Sequence, residues 1–309
     1  MSPMSGSVST RVSVSTGGRR FILRSPAKIN LFLAVHGKRE DGYHELTSLM
    51  ACIGLHDEIE LNFEGEGIRA TCSNPNLPTD ERNIAVKAAV RYFEWVGLPN
   101  VGLRIHIEKR IPVGAGLGGG SSNAATVLRG LDRAMGHLLG DDRLSAIAET
   151  LGSDVPFFIR QIPSLAEGRG ERLTPYPHLL PYPLVLVNPG FHVSTAWVYG
   201  RLKMGLTNCA QKLKNFSFKN QPYDPLCMLC NDLETVTETA YPDISAAKEL
   251  LCSQGAIGAL MSGSGPTVFG VFSDRQTAVK AFDAFKRYQK PNWRSWLTDL
   301  VIEPPADED

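Results

Sequence analysis

Five glycines fall within the seven residues from Gly114 to Gly120, and two serines and an alanine-rich helical pattern follow them at once. Glycine lets the backbone adopt positive φ and approach a ligand closely, so that successive N–H groups can converge on phosphate oxygens. A helix that begins near Ser121 adds its dipole and its unpaired N–H groups at the same place. The segment therefore predicts an anion-binding loop whose ligand is a phosphate chain.

Three other interpretations of this segment are weaker. Gly114, Gly116 and Gly119 spell G-x-G-x-x-G, which in dinucleotide-binding folds follows a buried parallel strand. The preceding residues 101–110 instead alternate apolar and polar side chains, which is typical of a half-exposed strand. A P-loop requires a lysine after the glycines, and none follows here. A flexible Gly/Ser linker is disfavoured by the helical spacing of apolar residues over 124–131.

Composition bounds the class of protein. The chain has 309 residues, 43% of them hydrophobic, and its 32 basic residues balance its 32 acidic residues. This length favours two domains. Zero net charge disfavours nucleic acid as the partner, because that binding depends on clustered Lys and Arg. No apolar run approaches the roughly 18 residues that span a bilayer. We therefore expect a cytoplasmic enzyme without a membrane segment, acting on small molecules as a monomer or homodimer.

The N-terminus and the cysteines carry less information. Residues 1–20 are rich in Ser, Thr and Gly and contain no acidic residue, which predicts a disordered extension. A plastid transit peptide is a weaker alternative. Six cysteines in a chain of this length do not indicate a disulfide framework, and we expect them to be reduced. Cys227 and Cys230 have the spacing of a metal site, but no second pair completes one, so we expect packing thiols.

Periodicity and turn residues predict both strands and helices. Their order lacks a regular βαβα alternation, which favours an α+β fold. Strands are predicted at 21–35, at 44–61 with a break at Asp57 and Glu58, at 101–110 and at 183–187. Helices are predicted at 84–95, 122–135, 143–151, 195–202, 232–252 and 274–288, and hairpins at 167–171 and 256–272.

Five motifs occur in a fixed order along most of the chain. They are Pro26-Ala-Lys-Ile-Asn-Leu31, Asp41-Gly-Tyr-His44, the glycine segment Pro112 to Ala125, Gly152-Ser-Asp-Val-Pro156 and Ser262-Gly-Ser-Gly-Pro266. This ordered set resembles the GHMP small-molecule kinases. The resemblance implies a phosphotransferase that uses ATP and a small alcohol acceptor, and the first two motifs are most similar to members whose substrate carries a cytidine diphosphate group. A homoserine- or mevalonate-type kinase and a non-catalytic nucleotide-binding regulator are the alternatives.

The same resemblance implies a two-domain architecture. The N-terminal domain, over 21–166, is expected to resemble domain 2 of ribosomal protein S5 and to contain a left-handed βαβ unit. The C-terminal domain, over 167–309, is expected to be ferredoxin-like.

The ATP site follows from the glycine segment and the family's pattern. The expected phosphate contacts are Lys109 and the run Pro112, Val113, Gly114, Ala115, Gly116, Leu117, Gly118, Gly119, Gly120, Ser121 and Ser122. Asn83, Ile84 and Val86 match the segment that lines the adenine. Mg²⁺ is expected because it bridges the β- and γ-phosphate oxygens in phosphoryl transfer. No carboxylate cluster is visible for it, so no protein ligand is assigned.

Two residues are expected to carry the chemistry. From spacing alone, Asp154 indicates a helix N-cap or a turn, and Lys28 indicates a strand residue that faces solvent. The resemblance implies instead that Asp154 is the base and Lys28 the cation that holds it ionised. Asn30 shares the strand face of Lys28 by the two-residue period. We expect Asp154 on a bent, non-helical segment, because Pro156 disfavours helix at the preceding residue.

Four further residues are assigned to the acceptor by the resemblance. Without it, Tyr43 and His44 indicate only an aromatic turn. With it, Tyr43 is expected to stack on cytosine and His44 to hydrogen-bond the edge of that base. Thr195 and Tyr199, four residues apart on a predicted helix, match a substrate-contact threonine and a second stacking aromatic. Phenylalanine is commoner in the family at the position of Tyr199.

Overall fold

One long antiparallel strand pair organises the structure. The computed structural model describes residues 18–98, 101–203, 209–215, 218, 221–287 and 290–303. The strands are β1 (Arg20–Lys38), β2 (His44–Asn62), β3 (Ile68–Cys72), β4 (Leu103–Glu108), β5 (Ser164–Gly168), β6 (Arg172–Pro175), β7 (Pro183–Asn188), β8 (Cys230–Asn231), β9 (Gly258–Met261), β10 (Val268–Val271) and β11 (Arg294–Val301). The helices are α1 (Ile84–Val96), α2 (Gly119–Ala134), α3 (Gly140–Leu151), α4 (Val155–Arg160), α5 (Thr195–Arg201), α6 (Cys209–Asn215), α7 (Pro225–Met228), α8 (Glu234–Ala240), α9 (Asp243–Ser253) and α10 (Arg275–Arg287). This mixture confirms the α+β class.

Strands β1 and β2 pair along nearly their whole length, as predicted, but the irregularity lies elsewhere. Residues Asp57 and Glu58 stay in register, opposite Ser25 and Arg24. The register shifts instead at three places, and the largest shift is at Pro26, where residues 54 and 55 of β2 have no partner in β1. Proline has no N–H to give to the ladder, so a bulge forms there rather than at the acidic pair.

The predicted disordered extension is mostly outside the described residues. Residues 1–17 are not described, whereas Gly18 donates its N–H to the Phe63 carbonyl at 3.3 Å and β1 already begins at Arg20. The ordered part of the chain therefore reaches at least to Gly18, three residues earlier than predicted.

Helices α1 to α4 cover one face of the N-terminal sheet. The helix predicted over 84–95 is α1. The Asn83 side chain accepts the Ala85 N–H at its start, and Gly97 adopts the left-handed conformation at its end. Strands β3 and β4 are parallel and flank α1, which gives a βαβ unit. The apolar faces of α1 and α2 pack with β2 and β4 in one core.

The prediction for the segment that follows Asp154 is wrong. Residues 155–160 form helix α4, whereas a bent, non-helical segment was expected after Asp154. Pro156 lies in the first helical turn, where its missing N–H would have had no partner in any case. The proline therefore starts this helix instead of preventing it.

The predicted boundary between 166 and 167 falls inside β5. The β5–β6 hairpin was expected, but β5 also pairs with β2, residue Leu46 facing Gly168. Because this pairing adds β5 and β6 to the N-terminal sheet, the chain leaves that sheet only after Pro175.

The C-terminal sheet has the strand order β11-β7-β10-β9, with each pair antiparallel. Together with the helices between β7 and β9 and helix α10 before β11, this is the ferredoxin-like arrangement. The predicted helix over 232–252 is two helices, α8 and α9. Pro242 separates them, because it cannot donate an N–H to continue α8.

The two sheets are continuous. The end of β11 pairs with β2, where Leu300 faces Ile53, and β8 pairs with β1, where Asn231 faces Leu33. Both joints lie beside the middle of β1, so residues from both halves of the chain can reach one site. Among the described helices, none has the length and apolar character needed to cross a bilayer.

The expectation that all cysteines are reduced is wrong. Cys209 forms a disulfide with Cys230, whereas Cys52, Cys72, Cys227 and Cys252 are free thiols. The pair was not predictable from spacing, because the partners are 21 residues apart and meet only when α6 packs beside β8. Neither member of the Cys-x-x-Cys pair has the predicted packing role, because Cys230 is in the disulfide and Cys227 is an exposed thiol.

Candidate active site

A large cavity of about 1390 Å³ lies where the two halves of the chain meet. The expected site residues that line it are Lys28, Asn30, Tyr43, His44, Asn83, Ile84, Lys109, Asp154, Thr195, Tyr199 and the run from Pro112 to Ser121. Val86 and Ser122 do not line it. Successive helical residues point in different directions, so Ser121 faces the cavity while Ser122 turns toward β1 and accepts a hydrogen bond from Ser25. Val86 is buried for the same reason, two positions after Ile84.

The glycine loop is held against the Gly/Ser turn of residues 262–266. Gly116 has a φ of +75°, and a Cβ atom there would lie 2.0 Å from the Ser262 carbonyl oxygen. The Ser262 hydroxyl donates to the Gly116 carbonyl at 2.9 Å. The loop ends at Gly118, which is the N-cap of α2 and also left-handed. Glycine is thus required by backbone conformation and by close packing, and the start of α2 opens onto the cavity.

The charged groups of Lys28 and Asp154 lie close together where both residues line the cavity. Lys28 is only 5% exposed, yet its Nζ lies 3.6 Å from the Asp154 Oδ2 and 2.5 Å from the Asn30 Oδ1. The Asn30 amide donates in turn to the Ser48 hydroxyl. The Lys28 N–H donates to the Leu117 carbonyl at 3.0 Å. Strand β1 therefore fixes the ammonium beside a carboxylate and bonds directly to the glycine loop.

Asp154 occupies an N-cap position without acting as a cap. It precedes α4, but its side chain makes no capping hydrogen bond. Its carboxylate remains 36% exposed and is directed to Lys28. The spacing-based N-cap interpretation is thus right about position, whereas the side chain belongs to the cavity.

Aromatic side chains line another part of the cavity, which we call the aromatic end. The ring centroids of His44 and Tyr199 are 4.9 Å apart, and the Arg169 guanidinium lies 4.9 Å from the Tyr43 centroid. Burial raises the pKa of Tyr199, and the charge of Asp154 raises it further, so the hydroxyl stays neutral. Burial lowers the pKa of His44, and the charge of Lys38 lowers it further. His44 therefore offers a neutral imidazole at pH 7.

Comparison with known proteins decides the family. The model for "GHMP kinases N terminal domain" matches residues 83–161, and that for "GHMP kinases C terminal" matches residues 210–290. A curated relative from Syntrophotalea carbinolica, called 4-diphosphocytidyl-2-C-methyl-D-erythritol kinase, is 48% identical over 278 residues, which are 90% of this chain and 98% of the relative. The chain belongs to the GHMP kinases.

Solved structures agree with this assignment. A crystal structure of a 4-(cytidine 5'-diphospho)-2C-methyl-D-erythritol kinase matches this GHMP kinase with a TM-score of 0.74 and 36% identity, over 91% of this chain and 99% of that one. A homoserine kinase from Cytophaga hutchinsonii matches with a TM-score of 0.73 but 18% identity, over 91% and 94% of the two chains. The second similarity concerns the fold alone.

Several lining residues of this GHMP kinase were missed by sequence reasoning. Leu77, Pro78 and Arg82 extend the wall beside Asn83, and Arg169 lies in the β5–β6 turn over Tyr43. The polar run before α1 gave no periodic signal that could single out the first three. Arg169 stands within Glu-Gly-Arg-Gly-Glu, which was interpreted only as a turn. Its partner Tyr43 is 126 positions away, so only the pairing of β2 with β5 brings the two together.

Proposed function

We propose that this protein transfers the γ-phosphoryl group of ATP to the 2-hydroxyl of 4-diphosphocytidyl-2-C-methyl-D-erythritol, a step in the methylerythritol phosphate route to isoprenoid precursors. The observation that carries the proposal is the pairing of Lys28 with Asp154 beside the glycine loop, in the same cavity as Tyr43, His44 and Tyr199. The first set suits phosphoryl transfer from a nucleoside triphosphate. The second suits an acceptor that carries a nucleobase.

Phosphoryl transfer needs alignment, charge neutralisation and removal of the acceptor's proton. The N–H groups of the glycine loop and the first turn of α2 would bind the phosphates. The Asp154 carboxylate would accept the proton of the attacking hydroxyl. The ammonium of Lys28, 3.6 Å away, favours the ionised carboxylate and would stabilise charge on the transferring group. Asn30 fixes that ammonium through its Oδ1.

The cavity is compatible with Mg²⁺ as a partner of ATP. Mg²⁺ takes oxygen ligands and usually keeps several waters alongside substrate phosphates. Of the described residues that line the cavity, Asp154 carries the one carboxylate, and Ser121 offers a hydroxyl at the start of α2. Because Asp154 is assigned as the base, Ser121 would hold the ion together with the phosphates and water, and the ion would neutralise charge on the phosphate oxygens. The protein contributes that hydroxyl and the phosphate-binding N–H groups.

The aromatic end explains the choice of acceptor. Tyr43 is 52% exposed and presents a free ring face for stacking on cytosine, while Arg169 lies against the ring. His44 offers a neutral imidazole to the edge of the base, and the nearby Tyr199 supplies a second aromatic surface. Thr195, the first residue of α5, shares a hydrogen bond of 2.9 Å with the Ser264 hydroxyl and so links α5 to the Gly/Ser turn. A homoserine or mevalonate acceptor has no group that would use these rings.

One assay tests the proposal. ATP consumption is measured with the purified chain and, in parallel, 4-diphosphocytidyl-2-C-methyl-D-erythritol, homoserine or mevalonate. We expect turnover with the cytidine compound alone, and loss of that turnover in Asp154→Asn. Turnover with homoserine or mevalonate would show that the protein has the activity of another branch of the family. ATP binding without turnover on any acceptor would favour a nucleotide-binding regulator.

A further inference from the structure

Beneath the glycine loop lies a completely buried carboxylate that the chemistry above does not use. Asp57, in β2, is 0% exposed. Its Oδ1 accepts the N–H groups of Arg110 and Ile111 at 2.7 and 2.8 Å. Its Oδ2 accepts the Asn123 amide at 2.9 Å and pairs with the Lys109 ammonium. A buried charge is tolerated only when it is paired and hydrogen-bonded, and Asp57 meets that condition with four donors.

The four donors all flank one segment. Residues 109 to 111 directly precede the glycine loop, and Asn123 stands in the first turns of α2, directly after it. One carboxylate therefore ties together both ends of the loop. Asn123 also donates to the Ser25 hydroxyl, and Ser25 lies on β1, three residues before Lys28. The loop is thereby held in register with the strand that carries the ammonium beside Asp154.

Lys109 stands in an unusual electrostatic position. Its Nζ lies 3.3 Å from the place a Cβ atom on Gly119 would occupy, at the start of α2, and it lines the cavity. The positive end of a helix dipole disfavours a cation there. Asp57 supplies the compensating charge, and the Asn123 Oδ1, 3.1 Å from the ammonium, fixes its direction. The ammonium is consequently in place for phosphate before nucleotide binds.

We propose that Asp57 is a positioning residue for ATP, which acts by holding Lys109 and the two ends of the glycine loop in their phosphate-binding arrangement. The inference rests on the proposed phosphate site and goes beyond it by assigning a buried residue that touches no substrate. Simple electrostatics gives the opposite expectation, because removing a negative charge near the phosphates would tighten ATP binding. The direction of the change in ATP affinity therefore distinguishes a positioning role from a simple effect of charge.

The test compares Asp57→Asn with Asp132→Asn in the full-length protein. Asparagine retains the Oδ1 acceptor but turns an N–H group toward the donors of Lys109 and Asn123. Asp132 is a matched control, since it is 1% exposed, lies near the other end of α2, and accepts the Tyr92 hydroxyl and the Leu139 N–H. Both variants should lower the melting temperature, because each disturbs a buried hydrogen-bonded carboxylate.

Calorimetric titration with ATP supplies the decisive measurement, and it does not depend on which acceptor the enzyme uses. We expect Asp57→Asn to weaken ATP binding by about tenfold or more, equivalent to about 1.4 kcal/mol, and Asp132→Asn to leave it unchanged. The KM for the cytidine acceptor should not change in either variant. An ATP affinity that is unchanged or tighter in folded Asp57→Asn overturns the inference, as does an equal loss for ATP and acceptor. Absence of turnover in the wild type would overturn only the proposed function.

Two further variants keep the test decisive if Asp57→Asn does not fold. Asn123→Ala removes one donor and one acceptor of the same network, and it should weaken ATP binding without affecting the acceptor. In a Lys109→Gln background, Asp57→Asn should have a much smaller effect on ATP affinity than in the wild type, because coupled residues give non-additive changes. Unchanged ATP affinity in Asn123→Ala, or full additivity in the double variant, contradicts the proposed role.

Discussion

Gly116→Ala tests whether the packing of two turns sets the phosphate site. A left-handed φ of +75° costs an L-residue about 1–2 kcal/mol. The added Cβ would also lie 2.0 Å from the Ser262 carbonyl oxygen, whereas real Cβ atoms essentially never come within 3.0 Å of a neighbour. One turn must therefore move by about 1 Å. Because a misplacement of about 1 Å can cost about 10²-fold in rate, we expect kcat/KM for ATP to fall by about that factor.

Gly136→Ala separates this effect from backbone strain. Gly136 has a similar φ of +78°, but a Cβ there meets nothing within 4 Å. Both variants should lose stability in chemical denaturation through the conformational cost, and Gly116→Ala should lose more. Steady-state kinetics and calorimetric ATP titration should then show a defect in Gly116→Ala alone. If Gly116→Ala turns over within threefold of the wild type, the close approach of the two turns does not position the phosphates and the reasoning is wrong.

Three further predictions concern the base, the aromatic end and the disulfide. Asp154→Asn should lower kcat by roughly 10²-fold or more while calorimetric ATP affinity stays nearly intact, and activity within threefold of wild type would remove the residue from that role. Tyr43→Ala should raise the KM for the cytidine acceptor by a factor equivalent to about 1–3 kcal/mol of stacking, with the KM for ATP unchanged, and equal increases would indicate a folding defect instead. Under non-reducing conditions Cys230→Ser should lower the unfolding free energy by roughly 3 kcal/mol, because it opens a loop closed across 21 residues. Cys227→Ser should not lower it, and equal stability of the two variants would mean that the disulfide does not form.

The sequence was sufficient for several features whose signal is local. Helix α1, predicted over 84–95, is found as Ile84–Val96, because the caps at Asn83 and Gly97 that end it depend only on a few neighbouring N–H and C=O groups. The predicted strands β1, β2 and β7 were likewise found. The ordered motifs also assigned the family correctly. These features are determined by backbone conformation and by which side chains can be buried.

Contacts between residues that are far apart in the sequence were decided only by the tertiary structure. Spacing alone indicated a solvent-facing Lys28 and a capping Asp154, and their 3.6 Å separation exists because α2 packs against both β1 and α4. The disulfide of Cys209 with Cys230 depends on the packing of α6 beside β8, and the placement of Arg169 over Tyr43 depends on the pairing of β2 with β5. Asp57 shows the contrast most clearly. Its charge predicted a strand break, yet the structure buries it whole, because four donors from two other segments converge on it and compensate for the loss of water.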